Sequence, residues 1–248
     1  MKLEGHTVLI TGGGTGIGAG LAGAFHKAGS RVIICGRRGE VLKKTAAAHP
    51  GMEYLVLDVR DISAVKDCAA KVAASHPGLD VVINNAGVQK PVDFMDGGAT
   101  TENIDIVVDT NLKGPSYVAS AFIPLLMKQK ESFIVNVSSG LMYVPLSFMP
   151  IYCATKAAVH SLTLSLRHQL RKTSVKVVEL VPPAVKTALG GEEEVHNHDE
   201  MPLDIFISEA VAGLLSGRDE VVVGSSNRLK WGSRLLPKVF FGFLNPRK

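Results

Sequence analysis

Tyr152 and Lys156 stand four residues apart in I-Y-C-A-T-K-A-A-V, with Ser139 thirteen residues upstream and the run T-G-G-G-T-G-I-G over residues 11–18. On a helix, residues spaced i, i+4 share one face, so the Lys156 ammonium would stand beside the Tyr152 phenol and favour its anion. With the charges ~5 Å apart at an effective dielectric of ~20, Coulomb's law gives roughly 3 kcal/mol, on the order of two pKa units. That brings a phenol of pKa about 10 towards neutrality, where a proton donor and acceptor works best. A tuned phenol in the company of a glycine-rich turn predicts hydride transfer to or from a bound dinucleotide.

Gly12, Gly16 and Gly18 follow an apolar run and precede a helical pattern, the context that a phosphate-binding turn requires. Their spacing, Gly-x-x-x-Gly-x-Gly, is longer by one residue than the Gly-x-Gly-x-x-Gly fingerprint of many dehydrogenases. Glycines let backbone approach a pyrophosphate, and the following helix offers free N–H groups and a partial positive charge. Thr15 and Ile17 belong to the same candidate cradle. Enzymes that use NAD usually place an acid after the second strand to bind the ribose 2′-OH. This chain has Cys35-Gly36-Arg37-Arg38 there, so two guanidiniums would accept a 2′-phosphate. The expected cofactor is therefore NADP, with NAD as the other candidate.

These residues need a scaffold. Short apolar, β-branched runs recur at 7–10, 31–35, 54–57, 80–83, 133–137, 175–180 and 220–223, and helical periodicity fills 17–28, 62–74, 104–127, 152–170 and 205–215. Continuous rather than alternating strands read as parallel and buried on both faces, joined by βαβ crossovers. The expected fold is α/β: one Rossmann-type doubly wound parallel sheet of seven strands with helices on both faces. Its domain spans residues 1–224, followed by a basic, apolar tail over 225–248.

The 248 residues can bury a sizeable core, and 46% hydrophobic content with 25 Gly suits such a fold. Three cysteines without close pairing make neither a disulfide framework nor a metal site, which points to a reducing compartment. No signal-like start and no long apolar stretch is visible, so a soluble cytoplasmic protein is expected. Six basic residues and no acid lie in 221–248; taking those six from the net +4 leaves −2 for the first 220 residues. The positive excess belongs to the tail, not to a nucleic-acid-binding face.

The ordered motifs resemble the short-chain dehydrogenase/reductase family in its Tyr-x-x-x-Lys branch: T-G-G-G-T-G-I-G, Leu57-Asp58-Val59, N-N-A-G ending at Gly87, Asn111 in T-N-L-K-G, Ser139 in V-S-S-G, and Tyr152 with Lys156. The stretches V-I-I-C-G-R, Y-C-A-T-K-A-A-V-H-S and P-P-A-V-K-T are similar to the DltE-type oxidoreductases. The resemblance implies that Tyr152 is the acid/base at a carbonyl oxygen. Lys156 would lower its pKa and hold the nicotinamide ribose, and Ser139 would hydrogen-bond the substrate oxygen. Asn111 would retain a water linking Lys156 to solvent. Asp58 and Val59 would border the adenine, Asn85, Ala86 and Gly87 the cofactor near its ribose, and Val185 and Thr187 its carboxamide. Pro182-Pro183 replaces the family's usual Pro-Gly, which removes a residue that tolerates positive φ from the turn carrying Val185 and Thr187. Ser138 adjoins Ser139, but the thirteen-residue spacing to Tyr152 favours Ser139. The implied partner is a small carbonyl or alcohol, and the implied assembly a homodimer or homotetramer. A dinucleotide-binding sensor or membrane-peripheral regulator without turnover is the rival reading; a complete Asn111, Ser139, Tyr152 and Lys156 argues against it, because binding alone needs no tuned phenol.

Leu141, Met142, Tyr143 and Phe148, between the serine and the tyrosine, are expected beside the substrate, favouring an apolar ketone or aldehyde. His196 and His198 sit in a polar run, G-E-E-E-V-H-N-H-D-E, that fits no closed zinc pattern; a loop closing over substrate is expected, and no metal. His160, His168 and Cys153 are read as packed or surface residues. The tail mixes Trp231, Leu235, Leu236, Phe240, Phe241 and Phe243 with cations, a composition that suits a membrane interface. Pro237 interrupts it, so docking on a neighbouring subunit or capping the pocket is the favoured expectation.

Overall fold

The computed structural model describes residues 1–98, 100–187, 189 and 200–246. Seven strands form one sheet: β1 (Thr7–Thr11), β2 (Arg31–Gly36), β3 (Glu53–Val56), β4 (Val81–Asn84), β5 (Ser132–Val137), β6 (Val175–Val181) and β7 (Glu220–Val222). Their order is β3-β2-β1-β4-β5-β6-β7, and every pairing is parallel. The chain steps outward from β1 to one edge, then returns to pair β4 against β1 and builds the other half. That reversal makes the crevice beyond the strand ends of β1 and β4 the natural ligand site.

Alternate residues of the five inner strands, β1, β2, β4, β5 and β6, feed two apolar layers, which is why those runs read as continuous, while the edge strand β3 exposes Tyr54 and Val56. Val8, Ile10, Val32 and Ile34 pack on one face beneath α1 (Gly16–Lys27) and α7 (Leu203–Leu215), through Leu21, Phe25 and Phe206. Leu9, Ile33 and Val82 pack on the other face against α3 (Ile62–Ser75) and α5 (Gly114–Leu126), through Val65, Val72 and Phe122. The 21-residue α6 (Pro150–Leu170) crosses that second face and reaches β6.

Three elements differ from the periodicity reading. The helix α2 (Gly39–Ala47) was not expected; it buries only Leu42 and Ala46, too narrow a stripe to register as a period. The single helix expected over 104–127 is α4 (Thr101–Val108), a π-helical turn (Asp109–Lys113) and α5. Pro115 has no N–H to return to the Asn111 carbonyl, so the regular ladder cannot pass that point. The tail folds as α8 (Ser226–Leu235) and α9 (Pro237–Leu244). Pro237 opens α9 at a position where a missing N–H costs nothing.

Candidate active site

Strand β1 delivers Thr11 to the crevice, and its hydroxyl ties the glycine-rich turn to the end of β4. Thr11 Oγ1 accepts the backbone N–H groups of Asn85 and Ala86, each at 3.0 Å, and donates to Ile83 O at 3.3 Å. The Asn85 side-chain amide returns the bond, donating to Thr11 O at 2.9 Å and Gly12 O at 3.2 Å. Gly12 has φ +65, in the left-handed region, and a Cβ there would lie 2.9 Å from Ala86 Cα. A Cβ on Gly18 would collide with the Gly12 carbonyl oxygen and sit 2.5 Å from Asn85 Nδ2. Only glycine lets α1 start this close to the end of β1, and the N–H groups of its first turn face the crevice that results. A backbone cradle that side chains would fill fits a pyrophosphate, and so fits a nicotinamide dinucleotide.

The other expected cofactor residues surround this cradle. Ile17 packs against the core from the first turn of α1, and Thr15 is that helix's N-cap. Arg38 Nη2 donates to Thr15 Oγ1 at 3.3 Å, so one guanidinium reaches the turn, while Arg37 is exposed beside it. Thr187 lies over Gly16, its Cβ 3.2 Å from where a Gly16 Cβ would be. Val185 is bridged to Met201, with Lys186 N donating to Met201 O at 3.0 Å and Met201 N to Ala184 O at 2.9 Å; the Pro182-Pro183 turn needs no positive φ. Val59 is buried against Gly114. Asp58 is bound by Arg60, whose Nη2 lies 2.7 Å from Oδ2; that bond, aided by Arg37, holds the carboxyl below its ordinary range.

The α6 spacing behaves as expected of a helix. Tyr152, Thr155, Lys156, Val159 and Thr163 all point inward. Tyr152 is 5% exposed, and Lys156 Nζ lies 5.7 Å from the centroid of its ring. Lys156 Nζ donates to Val137 O at 2.9 Å, at the end of β5. Burial lowers its pKa to about 8, with the Glu179 carboxylate opposing the shift. Gly87 joins the two halves of the site: a Cβ there would be 3.4 Å from Asn111 Oδ1 and 3.8 Å from Lys156 Nζ.

Asn111 sits in the π-helical turn and is locked by its surroundings. Its Oδ1 accepts from Val88 N at 2.8 Å, and its Nδ2 donates to Val88 O at 2.9 Å and Thr155 Oγ1 at 3.3 Å. Thr155 Oγ1 in turn donates to Tyr152 O at 2.7 Å. Ser139 caps a short 3₁₀ turn, its Oγ accepting from Leu141 N at 3.2 Å, and Leu141 packs in the same apolar cluster as Tyr152. Ser138 faces the other way, towards Leu180 O at 3.5 Å. Met142 is half-buried and Phe148 exposed.

Tyr143 is committed elsewhere. Its hydroxyl donates to Glu220 Oε1 at 2.5 Å; burial, then that bond, push the phenol's pKa up. Glu220 also contacts Lys230 from α8. Alongside, His160 Nδ1 lies 2.7 Å from Oε2 of the fully buried Glu179, a bond that raises the histidine's pKa. His160, Glu179 and Glu220 present donor atoms within 4.8 Å of one another, and Lys230 pairs with Glu220.

Several of these groups escaped the sequence reading. Glu179 was the most detectable, as a carboxylate inside the apolar strand V-K-V-V-E-L-V. Asn84 and Asn136 are register partners on β4 and β5, joined by a 2.9 Å side-chain bond that continues to Thr163. Thr11 and Thr155 gave no signal beyond their neighbours. His160 is packed, as expected, and His168 is exposed. Cys153 is buried, its Sγ accepting from Leu146 N at 3.3 Å. His196 and His198 lie outside the described residues.

Residues 6–197 match the family model for short chain dehydrogenases. The chain is 39% identical over 227 residues to the uncharacterized oxidoreductase DltE of Bacillus subtilis (strain 168), covering 89% of each. It is 32% identical over 183 residues to an uncharacterized oxidoreductase of Staphylococcus aureus (strain USA300), covering 73% of this chain and 78% of that one. Among solved structures, a short chain dehydrogenase from Burkholderia cenocepacia J2315 in complex with NADP superposes with a TM-score of 0.84 at 25% identity, over 98% of this chain and 99% of that one. A short chain dehydrogenase/reductase from Burkholderia phymatum in complex with NAD, 21% identical, shares the fold with a TM-score of 0.83 over 100% and 98% of the chains. With the family model spanning most of the chain and the glycine cradle fit for a dinucleotide, this protein belongs to the short-chain dehydrogenase/reductase family and is an NAD(P)-dependent oxidoreductase acting on CH–OH and C=O groups.

Proposed function

We propose that the protein is an NADP(H)-preferring carbonyl reductase or alcohol dehydrogenase for an apolar substrate, with Tyr152 as its acid/base. The observation that carries this reading is the buried Lys156 ammonium beside the Tyr152 ring, held by Val137 O and adjoining Asn111. A cation kept buried beside the phenol, despite the cost of its desolvation, favours the phenolate form that proton transfer requires. A bound nicotinamide supplies or accepts the hydride at the carbonyl carbon. In the reducing direction Tyr152 gives its proton to the carbonyl oxygen, and Lys156 stabilises the phenolate left behind. Ser139, whose oxygen already accepts from Leu141 N, donates to the same carbonyl oxygen as negative charge develops there. Asn111 is a positioning residue, fixed on the Val88 backbone, and by the family resemblance it would retain a water that links Lys156 to solvent and resupplies the proton.

NADP preference is supported by Arg38 at Thr15, by Arg37 beside it, and by the lack of an acid at the end of β2. Leu141, packed in the Tyr152 cluster, supports an apolar pocket. Three buried, free thiols support a reducing, cytoplasmic setting, and a homodimer or homotetramer completes the reading. Paired titrations of NADPH and NADH test the cofactor: Arg37→Ala/Arg38→Ala should lose most of the NADPH advantage, and tighter NADH binding by the unaltered protein would refute it. A ketone and aldehyde series graded by chain length tests the substrate, and preference for small polar carbonyls would refute the apolar pocket.

A further inference from the structure

Helices α8 and α9 close into a hairpin in which the Phe240 ring packs on Gly232, where any Cβ would collide with it. The hairpin's outer surface is not used for that packing. Trp231, Leu235, Leu236, Val239, Phe241 and Phe243 are exposed, Leu235 by 74% and Phe243 by 77%. Six large apolar side chains on two short helices form more apolar surface than a soluble face normally leaves in water. Interleaved with them are Arg228, Arg234 and Lys238, also exposed, and residues 221–248 contain no acid. Arg234 lies over the Trp231 ring at 5.6 Å. An indole with a guanidinium on its face suits the headgroup level of a bilayer, where the ring is half in hydrocarbon and the cation meets phosphate.

The apolar surface continues towards the mouth of the site. Asn245, just after α9, accepts from Ser147 N at 2.6 Å and donates to Pro145 O at 3.0 Å, pinning the hairpin to the loop that carries Phe148. Val92 N donates to Phe148 O at 3.3 Å, tying in a second loop that exposes Phe94 and Met95 but also carries the carboxylates of Asp93 and Asp96, and so is not part of the cationic face. We infer that the α8–α9 hairpin, extended by the loop carrying Phe148, is a docking surface for an anionic lipid bilayer. Charge decides between lipid and a second copy of the chain: a self-contact on this face would bring the same cations together without an acid to answer them, whereas anionic headgroups neutralise them. For the tail this proposal stands as the rival of the favoured sequence expectation, docking on a neighbouring subunit or capping the pocket, and the vesicle experiment decides between them.

Sedimentation of the full chain with vesicles tests this without turnover, so its failure would leave the proposed reaction untouched. The protein should pellet with phosphatidylcholine vesicles containing phosphatidylserine, weakly with phosphatidylcholine alone, and less in high salt. Arg234→Ala/Lys238→Ala should weaken binding about thirtyfold, and Leu235→Ser/Phe243→Ser should abolish it, while melting temperature and NADPH turnover of a water-soluble carbonyl stay unchanged. Equal partitioning of all three proteins, or no pelleting with the anionic vesicles, would overturn the inference. So would tail variants that lower the solution mass and leave vesicle binding intact, since the face would then be a contact between copies.

Discussion

Thr11→Val is nearly isosteric and removes one oxygen from the crevice. In the native structure that oxygen accepts two backbone N–H groups at 3.0 Å and donates to Ile83 O at 3.3 Å, in a residue only 2% exposed. Valine leaves all three groups without their partner. Each stranded buried backbone group costs about 1–3 kcal/mol, and the half-buried Asn85 and Ala86 fall at the low end because water reaches them in part. The sum is about 3–5 kcal/mol. For a chain of this size about 1 kcal/mol moves Tm by about 2–4 °C, so scanning calorimetry should show a fall of roughly 6–20 °C. The same bonds fix Asn85 against the Gly12 carbonyl, so NADPH affinity should fall as well. Thr11→Ser keeps the hydroxyl and should stay within about 1 kcal/mol of the unaltered protein, the loss of one methyl group. A Thr11→Val protein with unchanged Tm and NADPH affinity would refute the view that this hydroxyl organises the cradle.

Gly18→Ala places a methyl group against the Gly12 carbonyl, and isothermal titration should show loss of dinucleotide binding with the fold intact by circular dichroism; normal affinity would mean that the turn is looser than its contacts indicate. Lys156 has a pKa of about 8 in the fold against 10.5 ordinarily, so kcat/KM for reduction should fall as pH rises through about 8, and Glu179→Gln, which removes the carboxylate favouring the cation, should move that fall to lower pH. In stability the sign is opposite. Between about 8 and 10.5 the unfolded chain holds the Lys156 proton and the folded chain does not, so this group's contribution to stability rises with pH across that window, is complete above 10.5 and is lost as pH falls through 8. Urea titrations at the two ends of the window, compared with Lys156→Met, isolate it; no difference in slope would contradict the buried ammonium.

The fold was legible because the inner strands of a parallel sheet are apolar on both faces and so read as continuous apolar runs, whereas antiparallel strands commonly alternate. The spacing of Tyr152 and Lys156 was legible for the same kind of reason: a helix turns i, i+4 into one face. What stayed hidden depends on geometry between elements. Asn111 owes its position to a π-helical turn set by Pro115, which periodicity read straight through as helix. Tyr143 looked like a pocket residue by its place between Ser139 and Tyr152, yet its hydroxyl goes to Glu220 on the edge strand β7. Glu220 lies 77 residues from Tyr143 and 10 from Lys230 in sequence, so the network of the three is beyond any local signal. The tail's composition was visible, but not that its Pro237 starts a helix and turns the aromatic residues outward.

Tyr152→Phe tests the central claim most directly, because it removes the phenolic oxygen and little else. With NADPH and an apolar aldehyde that the unaltered enzyme turns over, kcat should fall by about 10²–10⁴, the range of general acid–base catalysis, while NADPH affinity stays near that of the unaltered enzyme. A variant that retained the full rate would contradict the account, whatever its affinity for the cofactor.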